Sequence, residues 1–150
     1  MVHRTLVLLL LSCIVPSIAS AQADGLEVLN EIFGGSAVFK LDKRQQLVID
    51  LYDASGRFRQ DVVPVMNIDP ERIHFSVEED AVILGCRAGQ DRCFSKELFK
   101  LNTVRLTGRC NLPRPPHDDG GLATMDAFRA WLATQAATAA ETPSCGKRKN

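Results

Sequence analysis

The residues able to do chemistry are few in this chain: five cysteines, three histidines and scattered carboxylates. Cys86 and Cys93 bracket the stretch Gly-Cys-Arg-Ala-Gly-Gln-Asp-Arg-Cys, residues 85–93. Six intervening residues of turn-forming composition do not suit a redox couple, which has two residues between its sulfurs and opens a helix. A zinc site wants closely paired ligands twice over, and Cys110 and Cys145 stand apart from each other. A turn that reverses the chain between Ala88 and Asp91 brings Cys86 and Cys93 onto neighbouring strand ends, within reach of a disulfide. Four cysteines allow three connectivities; with Cys86 joined to Cys93, Cys110 pairs with Cys145 by elimination and ties the polar tail to the sheet.

His117-Asp118-Asp119 is the most chemically suggestive triplet. A histidine with two carboxylates can ligate a divalent cation or orient a general base. Adjacent residues rarely all face one ion, and the flanking prolines and glycines suit a solvated connector. His74, between Ile73 and Phe75, reads as an exposed strand histidine. Arg57 and Arg59 are expected on one strand face with Asp61, near Lys96 and Lys100, as a wet charged stripe or a contact for an acidic partner. Glu78-Glu79-Asp80 reads as a hairpin tip. No G-x-S-x-G, H-E-x-x-H, phosphate-cradling or dinucleotide glycine pattern occurs. The sequence therefore names no catalytic residue, no metal site and no cofactor. The binding candidates are Arg57, Arg59, His117, Asp118 and Asp119.

The elements that must position these groups begin after an N-terminal stretch, MVHRTLVLLLLSCIVPSIASAQADG. Arg4, a short apolar run and the small-x-small sites ending at Ala21 and Ala23 form a secretory signal pattern, so residues 1–23 are expected to be removed. The apolar run is shorter than the roughly 20 residues a membrane span needs, and Pro16 interrupts it. Leu10-Leu11-Ser12-Cys13 loosely resembles a bacterial lipobox, which makes a lipoprotein anchored at Cys13 the alternative. Removal of residues 1–23 takes away Cys13 and leaves an even set of four cysteines, as exported disulfide proteins have. It also takes away Arg4, which leaves 17 basic against 18 acidic side chains. Such a balance gives no general attraction for nucleic acid or anionic membrane, and the few aromatics offer no stacking platform for bases.

Residues 24–140 are expected to form one β-rich domain, with 141–150 a polar basic tail held by Cys145. Leu26, Leu29, Ile32 and Phe33 suggest one or two helical turns. Leu47 to Asp53 alternates and pairs across Ala54-Ser55-Gly56 with Arg57 to Val65 as a hairpin. Pro64 is expected at a strand edge or bulge. Asp69-Pro70-Glu71 reads as a capped helical turn. Ile73–Val77 and Ala81–Cys86 form a second hairpin; residues 93–100 favour a strand, and Thr103–Thr107 reads as the last one. Leu122 to Ala136 is the clearest helix, with Leu122, Met125, Phe128 and Leu132 as its apolar stripe and Trp131 at the border.

Six or seven antiparallel strands followed by one helix make an α+β fold whose element order, over roughly residues 36–137, resembles pleckstrin-homology-like domains. The resemblance implies a bent barrel closed at one end by the helix, and it concerns fold alone. An open α+β roll is the alternative. The function expected is an exported binding module, periplasmic or extracellular, for a protein or small envelope ligand. A small envelope hydrolase using His117 or His74, or a hydrolase inhibitor presenting the Ala54–Arg57 hairpin tip, are the alternatives.

Overall fold

The computed structural model describes residues 19–141, with side chains described for 25–140. Two helices and eight strands follow in the order α1 (Ala19–Phe33), β1 (Ala37–Leu41), β2 (Gln46–Asp53), β3 (Gly56–Pro64), β4 (Ile68–Ser76), β5 (Ala81–Cys86), β6 (Phe94–Leu98), β7 (Thr103–Thr107), β8 (Arg109–Pro113) and α2 (Leu122–Glu141). The strands form two antiparallel sheets, ordered β1-β2-β3-β6-β7 and β4-β5-β8. The class is α+β, and the sheets do not close into a barrel. The closed form implied by the pleckstrin-homology-like resemblance is thus replaced by the open alternative. The reason is local: the chain leaves the five-stranded sheet after Pro64, and β4, β5 and β8 pair only among themselves.

Both expected hairpins form, Asp53↔Gly56 closing the first and Ser76↔Ala81 the second. The ambiguous segment after Cys93 is a strand, followed by a single 3-10 turn at Phe99–Leu101. Asp69-Pro70-Glu71 is a correction. It lies within β4, where the pairing with β5 is irregular between Ile68 and Ile73. The Asp69 carboxylate still accepts from the Glu71 amide at 3.0 Å, an Asx turn at a strand irregularity instead of a helix cap. The one short helical turn there precedes it, at Val65–Asn67.

The core lies between the inner face of the five-stranded sheet (Phe39, Leu47, Ile49, Leu51, Val63, Phe94), the facing side of the smaller sheet (Ile73, Val82, Leu84, Cys86, Cys110, Leu112) and the two helices. Leu26, Leu29 and Phe33 bury one face of α1 at helical spacing. Phe39 sits edge-on to Phe33 at 5.0 Å and to Phe128 at 5.5 Å, so one aromatic joins both helices to the sheet. Asn30 clasps β1 with both halves of its amide, accepting from Phe39 N at 2.7 Å and donating to Phe39 O at 3.1 Å.

The buried stripe of α2 is Thr124, Phe128, Trp131, Leu132 and Gln135, while Leu122 is exposed. The stripe is therefore rotated from the expected one, and Trp131 is inside it; Gly25 of α1 packs so close that a Cβ there would lie 2.8 Å from the indole. Gly120 and Gly121, both with positive φ, make the entry to α2. A Cβ on Gly121 would approach Val82 to 2.5 Å, so this backbone needs glycine for space as well as for conformation.

Candidate functional site

The expected bridge between Cys86 and Cys93 is present, with S–S 2.08 Å and Cα–Cα 5.8 Å across the turn at Gly89. Cys145, the other half of the second expected pair, lies outside the described residues. Cys110 is a free thiol, fully buried, whose Sγ donates to Asp61 Oδ2 at 2.9 Å. Burial first, and then the Asp61 charge, push its pKa well above the ordinary thiol value, which keeps it protonated and a poor nucleophile.

Arg57 and Arg59 do not share a face. Arg59 pairs with Leu51 and Arg57 with Tyr52, which leaves Phe58 bulged out of the ladder. One extra residue inverts the alternation, so Arg59 and Asp61 turn to the core and Arg57 to the outer face. Outside, the nearly buried Asp50 carboxylate receives Lys40 Nζ at 2.6 Å, Gln60 Nε2 at 2.6 Å and Arg57 Nη1 at 3.1 Å. Burial raises the Asp50 pKa, but the hydrogen bonds from Lys40 and Gln60 and the nearby cations bring it below the ordinary carboxylate value. Arg57 also lies 4.5 Å over the Phe99 ring. Inside, Arg59 pairs with Asp61 at 3.2 Å and donates to the Asn111 side-chain and main-chain oxygens. Arg59 joins the two sheets and Arg57 ties β3 to β2, so both are already engaged.

His117, Asp118 and Asp119 do not converge. His117 and Asp119 are exposed, whereas Asp118 is buried at the start of α2. Its two oxygens accept from Ala123 N at 2.8 Å and from Thr124 N at 2.9 Å, and the Thr124 hydroxyl adds a third bond. Burial raises the Asp118 pKa, but these hydrogen bonds outweigh it and hold the carboxyl below its usual range. Asp118 is a helix cap. His74 is exposed on β4, and among the described residues neither histidine has a hydrogen-bonded carboxylate. Glu79 and Asp80 at the second hairpin tip pair with Arg109 at 2.8 Å and Arg114 at 2.7 Å.

The feature that remains open lies elsewhere. A groove of about 130 Å³ runs between α2 and the segment joining β3 to β4, lined by Val65, Met66, Pro70, Leu132, Ala133 and Ala136 together with Arg87, Arg129 and Gln135. Gln135 is only 7% exposed, and its side-chain nitrogen has no hydrogen-bond partner among the described residues. Arg87 is anchored through its own amide to Asn67 O at 2.8 Å and through Nε to Ile68 O at 3.1 Å, which leaves its terminal nitrogens without partners among the described residues. Arg129 donates one nitrogen to Ile73 O at 2.7 Å; the other faces Asp126 only distantly, at 3.8 Å. The sequence signal for this site is Gln135 itself, three residues after Leu132 and four after Trp131, on the buried side of an alanine-rich helix.

No protein-family model, no curated protein and no solved structure matches this chain.

Proposed function

We propose that the protein is a non-catalytic binding module whose ligand seats in the groove between α2 and the β3–β4 segment. The observation that carries this reading is Gln135, a nearly buried amide with an unpartnered nitrogen, set among aliphatic side chains. An unsatisfied buried polar group costs a fold about 1–3 kcal/mol. The fold itself covers that nitrogen, so a ligand oxygen recovers the cost by drawing the amide into the groove, beside the exposed guanidinium groups of Arg87 and Arg129. Of the side chains singled out by sequence, Asp118 caps α2 and Arg57 and Arg59 join strands, while His117 and Asp119 lie exposed.

The setting that fits is outside the cytosol, the periplasm or beyond. A disulfide within the fold and no helix among the described residues long and apolar enough to cross a membrane support an extracellular or periplasmic protein. Export through the signal pattern at residues 1–23 belongs to the same proposal.

The test is a fragment titration of ¹⁵N-labelled protein. Small amphiphilic fragments are expected to shift the Gln135 side-chain amide and the Ala133 and Ala136 backbone signals, and Ala133→Trp is expected to abolish the shifts without lowering Tm. Shifts confined to other surfaces, or hydrolytic turnover lost in His117→Ala or His74→Ala at unchanged Tm, would overturn the reading.

A further inference from the structure

We infer that the groove captures the carboxy-terminal residue of a peptide, an apolar side chain entering it and the terminal carboxylate meeting Arg87 and Arg129. The inference rests on the binding-module reading and adds the ligand's chemistry.

Size comes first. A cavity of about 150 Å³ with aliphatic and aromatic walls holds a benzene-sized guest, and whole drug-sized ligands need about 300 Å³ or more. At about 130 Å³ the groove matches one leucine-, methionine- or phenylalanine-sized group. Its walls are aliphatic over Val65, Met66, Pro70, Leu132, Ala133 and Ala136.

Charge comes second. The terminal nitrogens of Arg87 are exposed at this groove and have no partner among the described residues. Arg129 adds a second cation that Asp126 meets only at 3.8 Å. Two guanidinium groups lining one groove call for an acceptor-rich anion, and planar carboxylate is the group that arginine pairs with in two-bond geometry. One apolar side chain next to one carboxylate is the last residue of a polypeptide. Capture of that terminus by clustered donors is a recurring mode of peptide recognition.

Other occupants fit less well. The Lys-Arg-Lys stretch at residues 147–149 of this chain would bring three cations towards two arginines. A free short-chain acid offers the same two contacts but no main chain beyond them, and two contacts alone do not offset the freedom lost on association. A peptide adds main-chain contacts beyond those two.

The experiment uses the full chain and fluorescein-labelled hexapeptides in an anisotropy titration at low ionic strength. The peptides end in leucine with a free carboxylate, leucine amide, or serine with a free carboxylate. The expected result is that the leucine acid binds at least tenfold tighter than either other peptide. Arg87→Gln, with Arg129→Gln as the second variant, lowers the acid's affinity at least tenfold, towards that of the amide. Equal affinity for acid and amide overturns the inference, and that comparison needs no variant to fold. If no peptide binds while fragments still shift the Gln135 amide, the ligand class is wrong and the binding groove stands. If neither binds, both readings fall.

Discussion

Replacing Arg59 by methionine removes one half of a charge pair that the fold has taken out of water. Asp61 is fully buried, with one carboxylate oxygen shared between Arg59 at 3.2 Å and the Cys110 thiol at 2.9 Å, and the other oxygen without a partner among the described residues. Without Arg59 the carboxylate keeps only a weak S–H donor. Breaking a buried pair from one side costs about 3–5 kcal/mol, against a total stability of about 5–15 kcal/mol. With a urea slope of about 1–3 kcal/mol per molar, the midpoint falls by roughly 2 M. The reverse change, Asp61→Asn, costs less, because Arg59 retains both Asn111 oxygens and the neutral amide can still accept from Cys110. The double variant Arg59→Met with Asp61→Leu is expected to recover most of the loss, since an apolar pair of similar volume needs no compensating charge. The assay is urea unfolding followed by the fluorescence of Trp131, the only tryptophan. An Arg59→Met midpoint within 0.3 M of the parent (a shift worth less than about 1 kcal/mol on that slope), or a double variant no more stable than the single one, would refute the argument.

The other expectations are smaller. Asp118→Ala strips the cap from α2 and is expected to cost about 1–2 kcal/mol, read as a drop in Tm. Because the folded Asp118 carboxyl is held below its ordinary value, the stability it contributes is complete above that value and is lost as pH falls through the folded pKa. The Tm difference between parent and Asp118→Ala should therefore shrink below about pH 4 and be constant above about pH 5. Reducing the Cys86–Cys93 bridge, which closes a short loop of sequence separation 7, is expected to cost about 2–3 kcal/mol, measured as the Tm difference with and without reductant. Gly121→Ala is expected to destabilise by at least about 1 kcal/mol from the left-handed backbone alone, and by more from the approach to Val82; an unchanged Tm would contradict that geometry.

The hairpins and the turn disulfide were legible because each is a local feature: alternation, a glycine at the turn, two cysteines flanking a reversal. The elements that escaped depend on distant partners. β8 was hidden by Gly108 and the prolines around it, and only pairing with β5 makes Arg109–Pro113 a strand. The bulge at Phe58 has no composition signal, yet it alone separates Arg57 from Arg59. The face of α2 was misread because alanine fills so many of its positions that two rotations look almost equally apolar; the sheet and α1 decide between them. Asp118 was picked out for its chemistry and serves as a cap instead. Gln135 passed unnoticed for the opposite reason: a lone amide in an alanine-rich helix looks like surface until its phase is known.

Cys110 carries one more consequence. It faces the same side of the small sheet as Cys86, two positions along from its pairing partner Leu84. A third sulfur so near a crosslink invites scrambling, which proceeds only through attack by thiolate. By surrounding that sulfur with hydrocarbon and setting a carboxylate against it, the core makes it a spectator. Among the described residues, the Cys86–Cys93 link, once closed, has no thiolate neighbour able to reopen it.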